Sequence, residues 1–133
     1  MKLLVVDDNP DILQILSSII TLFGHGVDEA GDGLEAIRLL QHGQYDVVVT
    51  DADMPRVDGI QLCRFVKAQR PDIPVIGMSG DLSALKRMEN AGADFCLPKP
   101  FGLDEILSAI ENQFRASSSR HAFVAGNSET QAG

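Results

Sequence analysis

Three consecutive valines, Val47 to Val49, lead into Thr50 and Asp51, and this stretch limits the possible folds more than any other. A β-branched, wholly apolar run suits a strand buried on both faces, as in a parallel sheet with helices on either side. Such a strand is central. Asp53 and Asp58 follow closely, and Pro55 and Gly59 force a turn before the next periodic segment. Asp51 therefore stands where a buried strand ends in a loop, at the carboxyl edge where open α/β sheets build their sites.

The rest of the chain repeats that pattern. Leu3 to Val6 form a first strand that ends in Asp7-Asp8, and Asn9-Pro10 supplies a helix start, with Asn as cap and Pro at the first position. Ile12, Leu16, Ile19, Ile20 and Phe23 recur at helical spacing, and Gly24-His25-Gly26 stops that helix. Residues 27–30 read as a weak strand, and Gly31-Asp32-Gly33 as a turn. Leu34, Ile37 and Leu40 mark a second helix ending near Gly43. After the valine strand comes a helix over residues 59–69 with Leu62, Cys63 and Val66 facing inward, then a fourth strand over residues 73–78, leaving through Ser79-Gly80-Asp81. The helix over residues 82–91 has only Leu82, Leu85 and Met88 as large apolar residues and is expected to be the most weakly held. Residues 95–97 form a fifth strand that Pro98 restricts to a sheet edge. Leu103, Ile106, Leu107, Ile110 and Phe114 define a last helix. Connections this short permit only right-handed crossovers between parallel strands, so a doubly wound, five-stranded parallel sheet with five helices is expected.

At 133 residues, 44% of them apolar and 23% charged, the chain has the length and composition of one globular domain. Residues 1–115 carry the periodicity, whereas residues 116–133 are polar and Ser-rich and read as a disordered tail or the stub of a linker. The net charge of −8 and pI near 4.6 oppose unassisted binding to nucleic acid or an anionic membrane. The first apolar segment is too short for a signal peptide or a membrane span, which points to the cytoplasm. Cys63 and Cys96 lack metal-binding or disulfide spacing and read as small buried hydrophobes. His25, His42 and His121 fall outside the expected cleft.

In a parallel sheet the strand ends share one rim, so Asp7-Asp8, Asp51, Ser79 and Lys99 gather in a single cleft. Three carboxylates at close quarters raise one another's pKa unless a cation sits between them. A hard divalent ion suits oxygen ligands, and Mg²⁺ suits a site with few protein carboxylates. Ser79 and Lys99 could hold phosphoryl oxygens, and Asp51 is the natural nucleophile. Asp58 before Gly59 reads instead as a local cap or Asx-turn.

These residues carry a resemblance over roughly residues 2–114. Asp7-Asp8, the loop from Asp51 through Met54-Pro55 and Asp58-Gly59, Ser79-Gly80 and Lys99-Pro100-Phe101 are similar, in the same order, to the motifs of response regulator receiver domains of two-component systems, with the flavodoxin-like strand order 2-1-3-4-5. The resemblance implies that Asp51 accepts a phosphoryl group from a sensor histidine kinase or phosphotransfer protein. It implies Mg²⁺ held by Asp8, Asp51 and the backbone carbonyl of Asp53, with Asp7 acting through water. Ser79 and Lys99 would hold the phosphoryl oxygens, the Lys99-Pro100 bond would be cis, and a downstream protein would dock on the fourth helix, fifth strand and fifth helix. Such a domain is no enzyme beyond its own phosphorylation and dephosphorylation.

Two departures stand out. The family often has an aromatic residue three positions before the lysine, where this chain has Cys96, so switching is expected to rely on shifts of residues 79–85 instead of a ring rotation. Asp53 and Asp81 place extra negative charge on the rim, which should slow small anionic phosphodonors. Competing readings are a receiver fragment of a longer regulator, a docking module without phosphorylation, and a haloacid-dehalogenase-like phosphohydrolase with Asp53 as general acid.

Overall fold

The computed structural model describes the backbone of residues 1–132 and the side chains of residues 1–118. Strands and helices alternate as β1 (Lys2–Val6), α1 (Pro10–Leu22), β2 (Gly26–Ala30), α2 (Gly33–His42), β3 (Val47–Asp51), α3 (Gly59–Gln69), β4 (Val75–Ser79), α4 (Leu82–Asn90), β5 (Phe95–Pro98) and α5 (Leu103–Ala132). Every strand pairing is parallel, in the order β2-β1-β3-β4-β5. This is the expected doubly wound sheet, with the valine strand in the middle and Pro98 on an edge strand.

Strand alternation divides the core into two layers. Leu3, Val5, Val47, Val49, Ile76 and Met78 pack beneath α1 and α5, and Leu4, Val6, Val48 and Val75 pack beneath α2, α3 and α4. Val47, Val48 and Val49 are fully buried, and each contributes roughly 1.5–3 kcal/mol relative to an exposed side chain. The helix starts are capped locally. Asn9 accepts from Asp11 and Ile12, Asp81 accepts from Ser83, and Asp58 and Gln61 form a reciprocal capping box, the local role read for Asp58.

Several inward faces differ from the sequence reading. In α1 the buried line is Leu13, Leu16 and Ile20, whereas Phe23 is 60% exposed, because it stands at the C-cap where the helix has left the sheet. Ala36 takes the buried place in α2, with Leu34 and Ile37 half-buried. In α4 the small Ala84 is buried and Leu82 is 77% exposed. Strand β4 starts at Val75 and includes Ser79, because Ile73 is held in a turn by its bond to the Arg70 carbonyl and Pro74 has no N–H to give. The expected tail, residues 116–133, opens inside α5. Nothing near Phe114 stops a helix, and Ser117 Oγ donates to the Asp72 carbonyl at 2.9 Å. The rest of that stretch lies outside the described side chains. Among the described residues, no helix is long and apolar enough to cross a membrane.

Two close approaches set α3 and α4 against the sheet. A Cβ on Gly59 would lie 2.0 Å from the Asp51 carbonyl oxygen, so only glycine lets α3 start against the end of β3. On β4, Gly77 makes room for Met88, whose Cε would be 2.6 Å from an added Cβ. At the opposite edge Tyr45 donates to Asp28 at 2.6 Å, and Lys2 Nζ lies 3.3 Å from the same carboxylate, fastening β2 to the sheet. The bond from Tyr45 holds the Asp28 carboxyl below its ordinary value, and burial, with that carboxylate, pushes the Tyr45 phenol up to about 12.

Gly59→Ala should destabilise the fold by about 1–3 kcal/mol in denaturant unfolding, whereas Gly80→Ala, with nothing within 4 Å of the new Cβ, should be neutral. A raised phenol pKa means that the unfolded chain releases its proton first, so stability falls as pH rises from 10.0 through about 12. Tyr45→Phe should cost about 1–2 kcal/mol near neutrality and lessen the alkaline loss, as read by urea unfolding in both ranges.

Candidate functional site

The four parallel strands β1, β3, β4 and β5 end on one rim. Asp7 and Asp8 follow β1, Asp51 and Ser79 close β3 and β4, and Lys99 follows β5. Asp7, Asp51 and Ser79 are buried, at 1%, 8% and 2% exposure, and Asp8 is exposed. Burial of carboxylates at this density is costly unless each is paired.

Lys99 provides the pairing. Its Nζ donates to Asp51 Oδ1 at 3.0 Å and to Asp7 Oδ2 at 3.3 Å. Its own backbone is tied to the adjacent strand by a 2.9 Å bond from Lys99 N to the Ser79 carbonyl, and the Lys99-Pro100 bond is cis. Asp7 is fixed by Asn9, whose N–H donates to Oδ1 at 3.0 Å, so the start of α1 and the first carboxylate are set together. Ser79 Oγ accepts from Asp81 N at 3.0 Å, and Asp81 in turn caps α4.

Burial pushes the Asp51 carboxyl up, and the neighbouring charges of Asp7 and Asp53 add to this while Lys99 only partly offsets it. Burial works to lower the Lys99 ammonium, but its bonds and charge contacts to Asp51 and Asp7 outweigh that and hold it above its ordinary value. One ammonium is thus shared between two buried carboxylates. Carboxylate oxygens of Asp7, Asp8 and Asp51 lie within 4.8 Å of one another. Three acidic oxygen donors at that spacing can hold a metal ion.

A family model for the response regulator receiver domain matches residues 3–111. The chain belongs to this family. Among curated relatives, the response regulator MprA of Mycobacterium sp. (strain KMS) is 36% identical over 120 residues, which covers 89% of this chain and 52% of that protein. MprA of Mycobacterium leprae (strain TN) is 35% identical over 117 residues, covering 86% of this chain and 51% of its own length. The receiver chain therefore spans about half the length of these relatives. Among solved structures, a CheY-like receiver domain protein from Methanospirillum hungatei JF-1 matches with a TM-score of 0.85 at 24% identity, over 90% of this chain and 97% of that one. NtrX from Brucella abortus, solved in complex with ATP, matches with a TM-score of 0.87 at 27% identity, over 92% of this chain and 29% of that one.

Within this receiver, the residues singled out in the sequence converge with one distinction. Asp7, Asp8, Asp51 and Lys99 form one cluster, and Ser79 ends the adjacent strand. The Asp53 side chain stands outside the carboxylate group, exposed on the loop, and its charge acts on Asp51. Cys96 is half-buried and its Sγ donates to the Leu85 carbonyl on α4 at 3.5 Å, while Phe95 is 41% exposed. Cys63 is buried, with its thiol pushed up to about 11 by burial, and both cysteines are free. His25 and His42 lie at the amino edge of the sheet, and the His121 side chain is outside the described residues.

The sequence reading missed Arg56. Its guanidinium pairs with Asp32, in the turn before α2, with Nε to Oδ2 at 2.9 Å. A contact across 24 residues leaves no local signal. The one available cue was that Asp32 stands between two glycines.

Proposed function

We propose that Asp51 accepts a phosphoryl group from a phosphohistidine of a sensor kinase or phosphotransfer protein. The observation that carries this reading is the Lys99 ammonium bridging Asp51 and Asp7, with Asp8 in reach. An Asp51 carboxylate oxygen forms the new bond to phosphorus as the phosphorus–nitrogen bond of the donor breaks, and the imidazole nitrogen takes the electron pair. Lys99 is placed to follow the transferred oxygens, and the Ser79 hydroxyl to donate to another. Water attacking phosphorus would later release phosphate and restore the carboxylate.

Three carboxylates against one ammonium leave the cluster over-supplied with negative charge, and hard oxygen donors fit Mg²⁺. Asp8, Asp51 and the Asp53 backbone carbonyl would hold it, with Asp7 acting through water. Bound there, Mg²⁺ would supply charge neutralisation for the nucleophile and the incoming phosphoryl oxygens.

The domain assignment, residues 1–115 as receiver and 116–133 as tail, is retained as part of this reading, with action in the cytoplasm. The half-length match to the relatives favours a receiver that works beside an output domain. Its output face is α4, β5 and α5, where Leu82, Phe95 and Leu103 are exposed at 77%, 41% and 54%. The Cys96 bond to Leu85 supports switching through the segment between Ser79 and Leu85, since a thiol cannot act as a rotating ring.

The deciding experiment is intact-mass analysis after incubation with an acyl phosphate, with and without Mg²⁺. The wild type should gain one phosphoryl group only with Mg²⁺, and Asp51→Asn should gain none. If a small donor fails, transfer from a phosphorylated histidine kinase is the second arm, and failure of both leaves the docking-module reading. The rim charge gives a further expectation. Asp53→Asn, and Asp81→Asn with its helix cap retained, should each raise the rate with a small acyl phosphate, and unchanged rates would refute an electrostatic barrier.

A further inference from the structure

The loop after β3 is fastened at two points. At its neck, Gly59 N donates to the Ala52 carbonyl at 3.0 Å, and Gly59 sits directly on the Asp51 backbone. At its tip, Arg56 adopts φ 66°, the one positive φ outside glycine among the described residues. There the Arg56 guanidinium grips Asp32 through Nε at 2.9 Å and through Nη2. The next residue, Val57, offers its carbonyl to Gly33 N at 3.0 Å, and a Cβ on Gly33 would fall 2.3 Å from that oxygen. Asp32 is 7% exposed and also caps α2 through Glu35 N at 2.9 Å. Asp53 lies between neck and tip.

Stability alone does not account for this arrangement. The Arg56 side chain is 58% exposed, so its guanidinium adds little to folding through the pair, and the buried Asp32 carboxylate keeps its bond from Glu35 N without it. Its backbone meanwhile holds a left-handed conformation that glycine adopts freely and arginine disfavours. The chain accepts that conformation at the point where it ties the loop to α2.

We propose that the Asp32–Arg56 clasp positions the arc of residues 53–57 for metal binding, so that Arg56 sets the Asp53 carbonyl toward the acidic cluster. The proposal rests on the metal role given to Asp53 above. Arg56 is a positioning residue, acting through the backbone, and the clasp also couples the metal site to the start of α2. Binding at the rim should then tighten the Gly33–Val57 bond, and loosening that bond should weaken binding in return.

Arg56→Gly separates position from stability, because it removes the clasp and relieves the left-handed backbone together. Titration of the unphosphorylated protein with Mg²⁺, by calorimetry or amide shifts, should give a dissociation constant raised about tenfold, with thermal stability unchanged or higher. Asp32→Asn retains a good helix cap and should shift affinity the same way by less. In the wild type Mg²⁺ should slow amide exchange at Gly33, and in Arg56→Gly it should not. Equal affinities in wild type and Arg56→Gly, or an affinity loss matched by a loss of stability, would overturn the clasp. A wild type that binds no Mg²⁺ would overturn the metal reading of the cluster itself, and the clasp with it.

Discussion

The constraint on which the structure depends is mutual repulsion among carboxylates buried at one rim. Asp7 and Asp51 are nearly closed to solvent, and Asp8 stands beside them. Left alone, such a group would protonate or splay apart. Lys99 prevents this from the far side of the sheet, reaching Asp51 and Asp7 from the end of an edge strand. The sheet order makes that reach possible, since β1 and β3 are neighbours and β4 separates β3 from β5. Ser79 closes that intervening strand and carries Lys99 on its carbonyl.

The loops around the rim are held from below by helix starts. Asn9 fixes Asp7 while capping α1, Asp58 caps α3 where Gly59 touches Asp51, and Asp81 caps α4 while bonding Ser79. Each cap satisfies orphan N–H groups and lies beside a residue of the site. The rim is therefore joined to α1 and α4 by single hydrogen bonds, and to α3 by the close contact of Gly59 with Asp51. The segment from Ser79 to Leu85 holds one of these links, and Cys96 meets it at the Leu85 carbonyl.

Much of the architecture was legible because its signals are local. The valine run, the Asn9-Pro10 start and the Asp58-Gly59 turn each act within a few residues, and parallel topology then brings the strand ends together. The face assignments were less legible. Leu13 and Ala36 are buried where Phe23 and Leu82 are exposed, since helix ends overhang the sheet and volume is rationed where helices cross close to strands. Gly77 and Met88 make this concrete: one gives up a side chain for the other, and neither residue signals it alone.

By itself the sequence determined the order of elements, the centrality of β3, and the presence of Asp7, Asp8, Asp51, Ser79 and Lys99 on one rim, because alternation and short crossovers leave few other solutions. Tertiary structure decided which of these groups share charge, that the Asp53 side chain stands exposed outside the carboxylate group, and that Arg56 crosses to Asp32. The physical reason is range. Periodicity and capping act over one or two turns of chain, whereas ion pairs and excluded volume depend on distances between segments that only the folded sheet fixes.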